Sequence, residues 1–208
     1  MELAMKSKTR NQRGFTLLET LVAVGIMMTV MGILVMKSFG SMESYKANSS
    51  MDVVVSQLRV ARQLAISQRR TVFVWVDTNF TGGGPSQHIN YQIQPAPKSG
   101  EQAGPLVSLA IPGQTQFLLP AGVSDTPMAF GTCSQSAVCI GNVSGGPPIM
   151  QFNSTGTFTD GTGLAPLNGT IFVSIPSQPL TTRAVTIMGG TGRVRPYTYI
   201  GPSGGWIE

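Results

Sequence analysis

The chain has 208 residues, room for one ordinary domain plus a long helix, and only 11% of them are charged, against about a quarter in a typical soluble domain. Together with 25 Gly, this suits a β-rich extracytoplasmic domain with polar loops better than a cytosolic enzyme. The net charge of +5 argues weakly for a polyanionic partner, because residues 1–14 carry Lys6, Lys8, Arg10 and Arg13 against Glu2, leaving ten Lys+Arg against eight Asp+Glu in the rest.

The basic leader runs into Gly14, and from Phe15 an apolar stretch continues to Met36, broken by small residues, threonines and one carboxylate, Glu19. At 1.5 Å per residue this stretch is roughly 33 Å long, enough to span a bilayer core of about 30 Å. The positive leader fixes the N-terminus in the cytoplasm, so that everything after about Ser38 lies outside it. Met5 serves as well as Met1 for a start, with the same topology. An ionisable group inside a bilayer costs roughly 2.5–3.5 kcal/mol on insertion scales, so Glu19 is expected to have a functional partner. The other reading is a carboxylate protonated or snorkelling at the membrane edge.

The residues Gly-Phe-Thr-Leu-Leu-Glu from Gly14 to Glu19 resemble the class III signal of type IV pilins and type II secretion pseudopilins. That resemblance implies a membrane peptidase that cuts after Gly14 and methylates the new N-terminus, Phe15. It implies that the apolar run stays in the mature protein, whereas an ordinary secretory signal loses its apolar core. It also gives Glu19 a partner: the free amino terminus of a neighbouring subunit, whose charge Glu19 neutralises to set the axial register.

Beyond the membrane segment, Val54, Leu58, Ala61 and Ala65 recur at i, i+4, i+7 and i+11, a helical stripe, with Arg59, Arg62 and Gln63 on other faces. No Pro occurs between Phe15 and Arg70, so one helix is predicted from Phe15 to about Ser67, roughly 80 Å long. Gly25, Gly32 and Gly40 are its soft points. The expected organisation is a leader over 1–14, a membrane or filament-core helix over 15–37, a helix continuation over 38–70, and a β-rich periplasmic domain over 71–208. Arg59, Arg62, Arg69 and Arg70 form a basic group at the helix end, either part of an anion surface or the lining of a seam between subunits.

From Thr71 the pattern changes to β-type runs: Thr71–Val76, Ile89–Gln94, Gln116–Leu119, Ile149–Phe152, Thr157–Thr159, Thr170–Ile175, Arg183–Met188 and Arg193–Ile200. Gly and Pro clusters separate them. The expected fold is α+β, a long N-terminal helix packed on an antiparallel sheet in a pilin-like arrangement. Cys133 and Cys139, six residues apart in a Gly/Ser-rich stretch, are expected to close a disulfide in an oxidising compartment. No metal site is expected there.

The segment Ala61–Val76, the run Phe152-Asn153-Ser154-Thr155-Gly156, and the closing Arg183 with Gly192-Arg193-Val194-Arg195 resemble the GspH/FimT class of minor pseudopilins. The resemblance is diffuse between residues 77 and 148. The internal, closely spaced Cys pair also fits a minor component rather than a major pilin.

Catalytic chemistry is poorly supported. His88 is the one histidine, the carboxylates show no close couple, and Gly189-Gly190-Thr191-Gly192 lacks the Lys-Ser/Thr of a phosphate loop. No enzymatic activity and no cofactor are expected. Arg193 and Arg195 alternate along a strand to one side, about 6–7 Å apart, close to the spacing of successive phosphates. Arg183, on the preceding strand, could join them if Gly189–Gly192 forms the turn. Some FimT-type members bind DNA during natural transformation through a C-terminal Gly-Arg-X-Arg motif, and residues 192–195 match it. The alternatives are a solubilised sheet edge or pairing with acids on neighbouring subunits. Tyr197, Tyr199 and Trp206 either stack on bases or pack within the domain.

The sequence therefore reads as a minor pseudopilin of a type II secretion pseudopilus or type IV pilus tip, with DNA capture as the alternative. The expected location is a bacterial inner membrane, crossed once, with the globular domain periplasmic and able to join a filament. The expected partners are other minor and major pseudopilins, the prepilin peptidase and an assembly platform protein, with DNA conditional on the arginines.

Overall fold

The computed structural model describes residues 15–78, 87–95, 102–127, 130, 133, 136–141, 149–162 and 165–208. Its elements are helix α1 (Leu17–Gln68) and strands β1 (Val72–Asp77), β2 (His88–Ile93), β3 (Val107–Ala110), β4 (Val138–Ile140), β5 (Met150–Phe152), β6 (Phe158–Asp160), β7 (Gly169–Ile175), β8 (Gln178–Met188), β9 (Arg193–Tyr199) and β10 (Trp206–Ile207). The chain divides between Ser41 and Met42 into two units.

In the first unit, Thr16 caps α1: its Oγ1 accepts the Glu19 backbone N–H at 3.2 Å. Thr16 and Glu19 thus occupy the first and last places of a Thr-x-x-Glu capping box. Leu17–Val35 has a mean hydropathy of 2.2 and is long and apolar enough to cross a membrane. Its threonine hydroxyls are satisfied within the helix, Thr20 and Thr29 each donating to the carbonyl three residues back at 2.8 Å.

The second unit is two five-stranded antiparallel sheets and the rest of α1. One sheet has the order β3-β2-β1-β5-β6 and the other β10-β9-β8-β7-β4. This refines the single sheet expected from the sequence. Val54, Leu58, Ala61 and Ala65 are all fully buried, as the stripe predicts. They share one core with Val72, Val74, Met150, Phe152 and Phe158 of the first sheet and Ile171, Val173, Val185, Ile187 and Val194 of the second. Both sheets therefore turn their apolar faces to α1. At the end of α1, Arg69 takes a left-handed conformation (φ 52°). Arg70 N–H reaches Ala65 O at 3.1 Å and Arg69 N–H reaches Ile66 O at 3.3 Å, a Schellman termination.

A smaller core lies on the other face of the second sheet, where Phe172, Ala184 and Cys139 meet Leu119 and Cys133, with Val123, Tyr197 and Trp206 at its margin. Because this face is also covered, β7 is buried along its whole length. The expected strand at Gln116–Leu119 is not one. That segment makes an isolated antiparallel bridge, Gln116 to Ser174, beside the end of β7, with Phe117 in the main core and Leu119 in the second.

Candidate functional site

The three arginines of the C-terminal motif do not converge. Gly189–Gly192 does form the β8–β9 turn, with Gly192 N–H bonded to Met188 O at 2.7 Å. The register then pairs Met188 with Arg193, Thr186 with Arg195, and Arg183 with Thr198. Cross-strand partners share a face, so Arg193 and Arg195 stand on the face of Thr186 and Met188. Arg183 stands on the opposite face, which packs on α1. It is 4% exposed, its Nε donates to Asn48 Oδ1 at 2.7 Å, and its Nη1 donates to the carbonyls of Leu180 and Thr182 at 3.2 and 3.0 Å. Burial lowers its pKa from the ordinary guanidinium value. A shift of this sign costs stability wherever the group is charged, and is relieved only as pH rises far into the alkaline range. Arg183 is thus a charged group of the core, and its expected place in an anion site is corrected.

Arg195 is engaged too, its Nη1 lying 2.7 Å from Glu208 Oε2. The aromatics beside it are packing residues. Tyr199 is buried, its ring 5.3 Å from that of Trp206, and Trp206 is 5.7 Å from Phe172. Trp206 Nε1 donates to Asp125 O at 2.7 Å, tying β10 to the loop that holds Cys133. Cys133 and Cys139 are bonded to each other, with Cα atoms 5.4 Å apart, and both are buried.

Arg193 alone of the trio lines an open groove, at the hairpin end of the sheet. Arg59, Arg62 and Gln63 of α1 line one wall and Met188, Thr191 and Arg193 of the β8–β9 turn the other, around a volume of about 620 Å³. Among the described residues no carboxylate lines it. Of the basic group read at the helix end, Arg59 and Arg62 enter this groove, and Arg69 and Arg70 do not line it. Arg62 also donates from Nε to Gly156 O at 3.4 Å. The segments that carry the GspH/FimT resemblance, the helix end, the Gly156 turn and the Gly192 turn, therefore meet around one side chain. The sequence shows each piece but not their meeting.

His88 lies in β2 opposite Asp77, half-buried. Among the described residues no group of three or more His, Cys, Asp or Glu side chains is placed to hold a metal ion.

At the other end of α1, Phe15 and Glu19 are exposed, while Gly14 lies outside the described residues. Glu19 is the carboxylate of the first turn, where the helix dipole favours a negative charge. Residues 9–35 match the prokaryotic N-terminal methylation motif. This is the prepilin signal of type IV pilin-like proteins, and it supports a pilin or pseudopilin relationship processed by prepilin peptidase. Proteins of this kind are structural, and among the described residues one helix, at the N-terminal end, is long and apolar enough to be consistent with membrane anchoring. The match ends where the apolar segment ends. No curated protein and no solved structure matches the chain.

Proposed function

We propose that this chain is a minor pseudopilin of the GspH/FimT type, a structural subunit of a type II secretion pseudopilus or a type IV pilus tip. The observation that carries the reading is one carboxylate, Glu19, in the first turn of an apolar helix inside the matched methylation motif. The subunit is stored in the inner membrane by α1, with its leader cytoplasmic and its β-domain periplasmic. Cleavage after Gly14 frees Phe15 for methylation, and Glu19 neutralises the amino terminus of the neighbouring subunit as both leave the membrane. The apolar segment is hidden from water in membrane and filament alike, so transfer between them is nearly balanced. A platform protein and other pseudopilins complete the assembly.

The test is the mass and N-terminal sequence of protein recovered from membranes. The expected product begins at a singly methylated Phe15, and Gly14→Asp leaves the precursor uncut. Normal maturation of Gly14→Asp would sink the reading.

DNA capture remains a second reading because Arg193 and Arg195 share a face and Arg193 is exposed. With Arg183 in the core and Arg195 on Glu208, it is left with fewer free cations than the motif suggests. Binding of a duplex oligonucleotide across a salt series decides it. For each phosphate that Arg193→Ala/Arg195→Ala no longer neutralises, the salt slope should fall by roughly one. Absence of binding at low salt removes this reading and leaves the first.

A further inference from the structure

The outer unit, Met42–Glu208, has two unlike ends. Arg183 Nε reaches Asn48 Oδ1 at 2.7 Å, and the Gly192 turn lies against Arg62. β8 therefore runs beside α1 in the same direction, about 20 Å of strand from Arg183 to Gly189 matching about 21 Å of helix from Asn48 to Arg62. Leu180 precedes Arg183 by about 10 Å of strand, which brings it level with Met42–Tyr45 of α1. Gly201 lies beside it, since a Cβ there would come within 3.7 Å of Leu180 Cδ2, and Ile200 adjoins Gly201. The loop after Ile111 reaches the same end: Gly113 lies against the stem of Lys46, and Thr115 shares a hydrogen bond with Ser50.

This end is apolar and nearly uncharged. Tyr45, Leu180 and Ile200 are exposed at 72%, 64% and 47%, and Met42 at 55%. Residues 110–116, 174–182 and 199–204, the segments that meet here, contain no Asp, Glu, Lys or Arg. α1 adds Glu43 and Lys46, opposite charges at a spacing that lets them offset each other. The other end carries Arg59, Arg62 and Arg193. The apolar end is also the tethered one. Met42 follows Val35, where the apolar segment ends, by a stretch of chain that can span at most roughly 25 Å.

We propose that this end of the outer unit seats on the bilayer that holds the apolar segment, with Tyr45, Leu180 and Ile200 entering the headgroup layer. The tether delivers this surface to lipid before any protein partner. Tyrosine is an interface residue of membranes, and the two aliphatic tips gain by leaving water. No charge in the three converging segments has to be dehydrated. Lys46, its stem against Gly113, supplies a cation at headgroup level. Seating leaves the β8–β9 turn and its arginines at the end of the unit away from lipid, and it must be broken when the subunit leaves the membrane. The inference rests on the membrane-anchoring reading and adds to it a second lipid contact, made by the globular part.

The test uses full-length protein in vesicles of phosphatidylethanolamine and phosphatidylglycerol, with an environment-sensitive fluorophore on one introduced cysteine and a spin-labelled lipid as quencher. Ser203 and Thr191 are exposed and lie at the two ends of the unit. S203C should be quenched at least about fivefold more than T191C, with V24C in the apolar segment quenched in every sample. Adding Y45E, L180E and I200E together should bring S203C to within about twofold of T191C and leave V24C unchanged. An unaltered unfolding midpoint confirms that this variant folds. Raising salt from about 0.05 to 0.5 M should leave the S203C quenching unchanged, since apolar seating is not screened. Equal quenching of S203C and T191C beside a quenched V24C would overturn the seating and leave the anchor intact. Lack of quenching at V24C would remove the anchoring reading and the seating with it. Full quenching of S203C in the triple variant, or its loss at high salt, would also overturn the apolar contact. A blue-shifted S203C emission without lipid quenching would overturn it too, assigning this surface to a second copy.

Discussion

Gly192 and Gly156 press their backbones together. Gly192 has φ +62°, and a Cβ placed on it would run into the carbonyl oxygen of Gly156 and lie 2.8 Å from Arg62 Nε. The glycine of Gly-Arg-Val-Arg is thus explained by packing: the β8–β9 turn must approach the β5–β6 turn closely enough for Arg62 to lie against both. Gly192→Ala adds a left-handed alanine to a steric clash with backbone. It should destabilise the outer unit by about 2–3 kcal/mol. Thermal unfolding checks this, with an expected drop of roughly 5–10 °C. An unchanged midpoint would show that the turns can separate freely.

Arg183 is expected to matter for stability and not for anions. Its guanidinium is held by an amide oxygen and two carbonyls, with no carboxylate among these partners. Arg183→Ala would remove these three charge-assisted hydrogen bonds and leave the buried carbonyl of Thr182 without its guanidinium donor, at a cost of about 2–3 kcal/mol. Its contribution should be flat between pH 5 and pH 9, because a guanidinium stays charged throughout that window. Denaturant unfolding at three pH values measures both points. The variant should bind any anion with the same salt slope as the parent, and a reduced slope would return Arg183 to the surface.

The helix was legible because its signals are local: no Pro, and a stripe whose four residues all proved buried. The alternation of β1 was legible for the same reason, every second residue being buried. The partners of the strands were not. β1 pairs with β5, more than seventy residues downstream, a choice made by the shared core and not by either segment. Three strands escaped the sequence reading. β3 exposes most of its side chains and has no burial period, β4 is three residues buried on both faces, and β10 is two residues long. The face of Arg183 was hidden by the turn. A register pairing 188 with 193 places odd-numbered residues of β8 with even-numbered ones of β9, so a side shared by Arg193 and Arg195 excludes Arg183. Thr16 was legible in principle, since Thr-x-x-Glu before an apolar run is a helix-start signature.

β10 is held by Trp206 more than by the charge beside it. The Arg195–Glu208 pair has side-chain exposures of 35% and 51%, and pairs this wet contribute about 0–1 kcal/mol. Trp206 stacks on two rings and donates a 2.7 Å hydrogen bond to Asp125 O. Glu208→Gln should therefore cost under about 0.5 kcal/mol, and Trp206→Ala about 2 kcal/mol or more. Equal effects in parallel unfolding curves would contradict this ranking.

The disulfide fastens the loop over the second core. Cys133 N–H bonds Asp125 at 2.8 Å and Cys139 sits in β4 against β7, so the bridge ties an irregular segment to the sheet. Closing a loop of this size contributes about 2 kcal/mol in the chain-entropy account. Cys133→Ala/Cys139→Ala should lose roughly that amount, and reductant should lower the parent to the same level. A parent insensitive to reductant after full thiol release would show that the loop is held by Trp206 and Leu119 without the bridge.

Glu19 has two separable roles, and substitutions divide them. Its backbone N–H completes the Thr16 cap, a bond that survives any side chain at position 19. Its carboxylate is the group proposed to meet a neighbour's amino terminus. Glu19→Val should therefore be cut and methylated normally yet be largely missing from sheared filaments. Glu19→Gln should behave in the same way, because neutralising the terminus requires charge. Thr16→Ala removes the capping oxygen, costs about 1 kcal/mol of helix stability, and should still assemble. Immunoblots of membrane and filament fractions for the three variants distinguish the cases. Efficient assembly of Glu19→Val would leave Glu19 as a helix-start residue alone. Failure of Thr16→Ala together with normal Glu19→Val would move the requirement from the charge to the cap.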